Sequence, residues 1–368
     1  MLFNKLTMPT TTYSGKGEVA GLLSRTNVFG AGLIIHGASL RKKPQFKQLT
    51  TVFKKKSFFY PYDCGEPSLK DIRAVITYAK KKKVLWIGGI GGGSVMDLAK
   101  AVAGLYKSSQ DPEYYQIGGV LEKKGIPFVA VPTTAGSGAE STINAVIINE
   151  KTNEKLSIRD DSFMADLVIL DPELMAGIPQ NVLAESGLDA LTQSIESYMS
   201  NGSTWYTEQL ALKGFKQIIS NLEASYEAAN EKEYSEAYSG LLEGSYLTGI
   251  AFTNSRLGLV HGIAHTLGTM YKQSHGLVCA LCLIPVLEIN KSHAADKYQI
   301  LSDLAGMDLI KKIKELLEKF EIQNVFKGQT IKDARKIVQN TLASGSTKAN
   351  PKTINAEDVN SLLQTLFN

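Results

Sequence analysis

Six short apolar runs punctuate the chain up to Leu170, and beyond Pro179 the strand signal nearly vanishes. The runs are Gly32 to His36, Ser57 to Tyr60, Val84 to Gly88, Pro127 to Pro132, Ile143 to Ile148 and Leu167 to Leu170, with helical stretches between them. Mostly continuous apolar strands alternating with helices predict a parallel sheet wrapped by helices. After Pro179 the segments Val182 to Met199, Glu208 to Ala224 and Tyr234 to Phe252 carry helical periodicity instead. A length of 368 residues allows two cores. The expected architecture is an α/β N-terminal domain over residues 1–176 and an all-helical C-terminal domain over 177–368.

Boundary signals agree with this division. Ser68 and Asp71 form a capping-box pattern that opens a helix running to Lys83, and Asn355 with Asp358 opens a final helix. Lys54 to Lys56 and Lys80 to Lys83 read as solvated turns or helix ends. The net charge of +4, from 40 basic and 36 acidic residues, is far from a nucleic-acid-binding balance but suits a phosphate-bearing ligand. Met1 to Thr10 lacks the features of a secretory signal, and no window approaches the roughly 18 apolar residues of a bilayer span. The three cysteines, Cys64, Cys279 and Cys282, fit a reducing cytoplasm. Cys279 and Cys282 lie in an apolar helical run, Leu277 to Ile289, and read as buried structural thiols.

Chemistry enters at Gly88-Gly89-Ile90-Gly91-Gly92-Gly93-Ser94, between the Val84 to Gly88 strand and a helix expected near Val95. Glycines admit a pyrophosphate close to the backbone, and the helix N-terminus behind them supplies N–H groups and a positive dipole end. Ser94 and Asp97 are expected to cap that helix. The common G-x-G-x-x-G fingerprint is absent, because Ser94 stands where its third glycine would be. A second loop, Pro132-Thr133-Thr134-Ala135-Gly136-Ser137-Gly138-Ala139-Glu140, joins hydroxyls to glycines. Both loops follow strands, where open α/β sheets bind ligands.

In the helical half, Asp189 and Gln193 are four apart and share a helix face. His261 and His265 repeat that spacing, and His275 follows, so three of the five histidines fall within fifteen residues. Such a cluster with a carboxylate favours a divalent-metal site over core histidines.

Taken together, Gly91-Gly92-Gly93-Ser94-x-x-Asp97-x-x-Lys100, the Thr133 to Glu140 loop, Gly187-x-Asp189-Ala190-Leu191 and His261-x3-His265-x9-His275-Gly276 resemble the iron-containing alcohol dehydrogenase family. The likeness runs from about Tyr13 to the last helix. It implies a dinucleotide-binding N-terminal domain, a helical C-terminal domain with a metal in the cleft between them, and a cytoplasmic homodimer or larger homo-oligomer. It also implies hydride transfer between NAD(P)(H) and a small alcohol or aldehyde, with Fe2+ or Zn2+ as Lewis acid and neither nucleic acid nor membrane as partner. Metal ligands fall on Asp189, His261 and His275, with Gln193, a weak ligand or none, where most members have histidine. His265 takes a catalytic position beside nicotinamide and substrate. Cofactor contacts fall on Gly37, Ser39, Gly91, Gly92, Gly93, Ser94, Asp97, Thr133, Thr134, Ser137, Lys155 and Leu174. Asn144 and Phe252 fall at the substrate. NAD-preferring members usually carry Asp where this chain has Gly37, so a preference for NADP(H) is expected. Two alternatives stand beside this reading: a metal-dependent lyase of the dehydroquinate synthase kind, and a catalytically impaired nucleotide-binding relative.

Overall fold

A computed structural model describes residues 5–53 and 57–368, so the Lys54 to Lys56 run lies outside the described residues. The described chain forms two compact units. One comprises Thr7–Ala176 with Lys232–Leu242, and the other Gly177–Glu231 with Glu243–Asn368. No helix among the described residues is long and apolar enough to cross a membrane.

Eight strands form in the first unit: β1 (Thr12–Ser14), β2 (Gly32–His36), β3 (Ser57–Pro61), β4 (Trp86–Gly91), β5 (Phe128–Pro132), β6 (Asn144–Asn149), β7 (Glu154–Arg159) and β8 (Leu167–Leu170). Six make one sheet in the order β1-β8-β5-β4-β2-β3. Every pairing in it is parallel. Strands β2, β4, β5 and β8 are buried along their whole length, which is why they read as unbroken apolar runs. From β2 the chain turns outward to the edge strand β3 and returns on the opposite flank as β4. That reversal opens a crevice at the carboxyl ends of β2 and β4.

Three expectations need correction. The Ile143 to Ile148 run is not part of the parallel sheet: β6 pairs antiparallel with β7 in a separate two-stranded ribbon. Its residues alternate between half-buried and buried, as a strand covered on one face should. The third run does not end at Gly88, because β4 continues to Gly91 and uses glycines as strand residues. A Cβ on Gly89 would lie 2.9 Å from the Ala99 Cβ, and one on Gly91 would lie 2.7 Å from the Val95 Cβ. These two glycines therefore let the following helix, Gly93–Leu105, settle directly on the strand. Lastly, Ser94 and Asp97 form no capping box, since the N-cap is Gly92 and Asp97 accepts a bond from the Val146 N–H at 3.2 Å.

The second unit is helical. Its principal helices are Gln180–Met199, Trp205–Glu227, Leu259–Tyr271, His275–Asn290 and Ala356–Phe367, together with the larger part of Ala237–Ser255. The capping boxes at Ser68 with Asp71 and at Asn355 with Asp358 form as expected. The Gln180–Met199 helix is buried on every side from Gly187 to Met199, so each polar group there needs a partner.

Candidate functional site

Three turns meet at the carboxyl ends of β2, β4 and β5. The Gly37 N–H bonds the Ile90 carbonyl at 3.3 Å, and the Thr133 N–H bonds the Gly91 carbonyl at 2.9 Å. No side chain caps the Gly93–Leu105 helix at Gly92. Its first N–H groups are thus open to an anion, with the positive end of the helix dipole behind them. A Cβ on Gly92 would lie 3.3 Å from Thr134 Oγ1, and one on Gly93 would lie 3.0 Å from Ser137 Oγ. The bare backbone at Gly92 and Gly93 and the two hydroxyls accordingly form one cradle, next to Ser94 and Thr133.

Lys100 braces this cradle from below, a role that sequence reasoning missed. Its side chain is fully buried, and Nζ donates to the Ala139 carbonyl (2.6 Å), Thr142 Oγ1 (2.6 Å) and the Asn144 carbonyl (2.9 Å). Burial lowers its pKa to about 8, against the opposing pull of Asp97 and Glu140. Burial likewise raises Asp97 to about 6 and Glu140 to about 7. Lys100→Met should leave those acceptors and carboxylates without their cation. A loss of about 3–5 kcal/mol of stability is expected, read as a lower urea midpoint, and an unchanged midpoint would contradict the bracing role.

Of the other residues expected at this site, Lys155 and Asn144 lie beside it and Leu174 does not. Lys155 pairs with Glu66 at 3.0 Å. Leu174 is wholly buried in an apolar cluster with Val19, Leu22 and Ile169, so its side chain serves the core. Asn144 opens β6, with its carbonyl taken by Lys100.

The second unit gathers the other candidates. Asp189 and Gln193 project from one face of the Gln180–Met199 helix, His261 and His265 from the Leu259–Tyr271 helix, and His275 begins the His275–Asn290 helix. Ligand atoms of Asp189, His261, His275 and Cys279 all lie within 4.8 Å of one another. His261 Nε2 is 3.2 Å from Asp189 Oδ1, and His275 Nε2 is 3.8 Å from the same oxygen. Cys279, read from sequence as a structural thiol, is buried but belongs to this cluster, whereas Cys282 is buried outside it. Burial pushes the Cys279 thiol up to about 12 in the absence of a cation.

Glu196 organises the cluster and was also missed, although it lies seven residues after Asp189, on the same helix face. It accepts the Val260 N–H at 2.7 Å and the His261 N–H at 3.4 Å, satisfying the first turn of the His261 helix. It also lies 2.7 Å from His261 Nδ1, which fixes that nitrogen as donor and turns Nε2 toward Asp189. Burial works against a charge on His261, yet Cys279, Asp189 and Glu196 hold its pKa well above the usual value. The centre of the cluster therefore favours positive charge.

Gln193 donates its amide N–H to Asp189 Oδ2 at 3.0 Å. It braces the carboxylate rather than offering it an oxygen. His265 stacks on His275 with ring centroids 4.8 Å apart and an interplanar angle of 9°, outside the donor cluster. Phe252 is buried in the Ala237–Ser255 helix.

Comparison with known proteins gives one consistent result. A family model described as iron-containing alcohol dehydrogenase matches residues 9–172, and the C-terminal model of the same family matches residues 183–367. The chain is 27% identical to lactaldehyde reductase of Escherichia coli (strain K12) over 99% of its own length and 100% of that protein. It is 26% identical to the NADPH-dependent butanol dehydrogenase of Clostridium saccharobutylicum, over 99% of this chain and 98% of that one. Among solved structures, a 1,3-propanediol oxidoreductase superposes with a TM-score of 0.92 at 25% identity, covering 100% of both chains.

Proposed function

The chain belongs to the iron-containing alcohol dehydrogenase family, oxidoreductases acting on alcohols and aldehydes, and we propose that this member transfers hydride between NADP(H) and a small alcohol or aldehyde at a divalent ion held by Asp189, His261 and His275. The observation that carries this reading is the approach of His261 Nε2 to Asp189 Oδ1 at 3.2 Å, with Nδ1 already committed to Glu196. An imidazole nitrogen and a carboxylate oxygen are held there at a distance that a cation can bridge in place of the Nε2 proton. The donors suit Fe2+ or Zn2+, since imidazole and carboxylate bind both. When bound, such an ion supplies Lewis acidity toward the substrate oxygen, and the nicotinamide gives or takes the hydride.

The protein's own groups set the rest. Gly92, Gly93, Thr134 and Ser137 hold the pyrophosphate against the helix N-terminus, while Thr133, Asp97 and Lys155 contact the remainder of the cofactor. Lys100 keeps the hydroxyl loop in register with the glycine turn. His265 carries the proton that accompanies hydride transfer, Asn144 binds a second polar group of the substrate, and Phe252 supplies an apolar wall. Purified protein assayed for bound metal and for nicotinamide absorbance with a panel of small alcohols and aldehydes tests the whole reading. Metal-free protein that turns over none of them with either cofactor would overturn it.

Glu196 offers a separate check. Glu196→Gln keeps the shape but weakens the hydrogen bond that orients His261, and metal affinity should fall about 10- to 100-fold. Chelator competition measures it, and an unchanged dissociation constant would remove Glu196 from the account.

A further inference from the structure

The donor cluster contains one more ligand atom than the reading above uses. Cys279 stands four residues after His275, so both side chains leave the same face of their helix. Its Sγ lies 3.6 Å from His275 Nε2 and 3.9 Å from His261 Nε2. A tetrahedral ion with metal–nitrogen distances of about 2.05 Å and a metal–sulfur distance of about 2.3 Å sets sulfur–nitrogen edges of about 3.5 Å. Its nitrogen–oxygen edges come to about 3.4 Å by the same construction, and the cluster shows 3.2 and 3.8 Å. These four of the six edges match a tetrahedron to within about 0.4 Å, and all four ligand atoms lie within 4.8 Å of one another.

Charge points the same way. Cys279 is completely buried, and Asp189 and His261 are nearly so. Two neutral imidazoles and one carboxylate would leave a divalent ion with a net positive charge in a largely buried site. A thiolate cancels it, and its proton leaves to solvent as the sulfur–metal bond forms. Gln193 meets Asp189 through its amide N–H, and its Oε1 is buried without a hydrogen-bond partner.

We propose that Cys279 is the fourth protein ligand of the centre, and that the Asp189, His261, His275 and Cys279 set selects zinc over ferrous iron. Thiolate is the soft donor of the four, and sulfur ligation favours zinc beyond the ordinary order of divalent affinities. This rests on the metal-site reading above and extends it to a donor that reading does not include, the substrate oxygen then entering as a fifth ligand.

The test loads the metal-free full chain with Co2+ in a Cys64→Ser background, because Cys64 is an exposed thiol that would bind cobalt by itself. The parent should show the visible bands of tetrahedral cobalt together with a near-ultraviolet sulfur-to-cobalt charge-transfer band. Cys279→Ser should lose the charge-transfer band, Cys282→Ser should keep it, and zinc affinity should fall on the order of 100-fold in Cys279→Ser alone. Visible cobalt bands without charge transfer in the parent, or unchanged zinc affinity in Cys279→Ser, would overturn the proposal while leaving the three-ligand site standing. A parent that binds no cobalt would sink both. Full charge transfer without alcohol turnover would uphold the ligand and remove the proposed reaction.

Discussion

His261→Ala and His275→Ala are each expected to lose bound metal and alcohol turnover together, by about 10³-fold or more in kcat/KM, while the fold survives. The size follows from the several kcal/mol that a Lewis acid contributes to a hydride-transfer barrier, at about 1.4 kcal/mol per factor of ten. Survival of the fold follows from what each histidine leaves behind. In His261→Ala, Glu196 keeps the backbone N–H groups at positions 260 and 261, and the buried Asp189 keeps the Gln193 amide N–H. His275 is part-exposed at the first position of its helix, a place that alanine fills at little cost. His265→Ala should separate from both, keeping a full complement of metal but losing about 10²- to 10⁴-fold in kcat with an altered pH profile. Metal content by elemental analysis, far-ultraviolet circular dichroism and steady-state kinetics on the three variants decide it. Full metal and full turnover in His261→Ala would remove the centre from the mechanism.

The buried parts of this protein were the legible ones. Strands β2, β5 and β8 announce themselves as apolar runs because both faces of the sheet are covered. β1 spans three residues and β7 reads Glu-Lys-Leu-Ser-Ile-Arg with one buried residue, so neither carries the apolar signal that marks a covered strand. The glycine run was recognised as a turn, but sequence spacing could not divide it into Gly89 and Gly91, which admit a helix, and Gly92 and Gly93, which line the cradle. The histidine cluster was visible because histidine is scarce in this chain. Cys279 was not, because an apolar helix is the ordinary home of a buried thiol, and of its three neighbours in the cluster only His275 shares its helix. Lys100 and Glu196 escaped for a related reason: a charged residue on an otherwise apolar helix face is informative only once its partners elsewhere in the chain are known.

Wild-type protein is expected to favour NADP(H) over NAD(H), and Gly37→Asp to reverse that preference. Gly37 is the N-cap of the short Ala38–Arg41 helix, with φ −79° and ψ 167°, a conformation open to any residue. A Cβ there would meet Val95 Cγ2 at 3.6 Å and Ser39 Oγ at 4.0 Å, both ordinary contacts. Aspartate therefore fits, and as an N-cap residue it should not weaken the turn. Its charge would repel a 2′-phosphate and accept bonds from a free ribose hydroxyl. In the wild type the turn instead carries Ser39 and Lys42, both exposed, and Arg41, which is paired with Asp63. That pairing is the main objection, since an occupied guanidinium is no phosphate ligand. Magnitudes resolve it: both partners are 40% exposed, and an exposed pair contributes about 0–1 kcal/mol. A charge-assisted bond to phosphate contributes about 1.5–3 kcal/mol, so Arg41 gains by exchanging partners, and one such bond gives about 10- to 150-fold in affinity. Asp63→Asn should then strengthen the preference for NADP(H), and Arg41→Ala should reduce it. The measurement is kcat/KM for both cofactors on wild type and the three variants, and a wild-type value for NAD(H) equal to or above that for NADP(H) would refute the assignment of this turn.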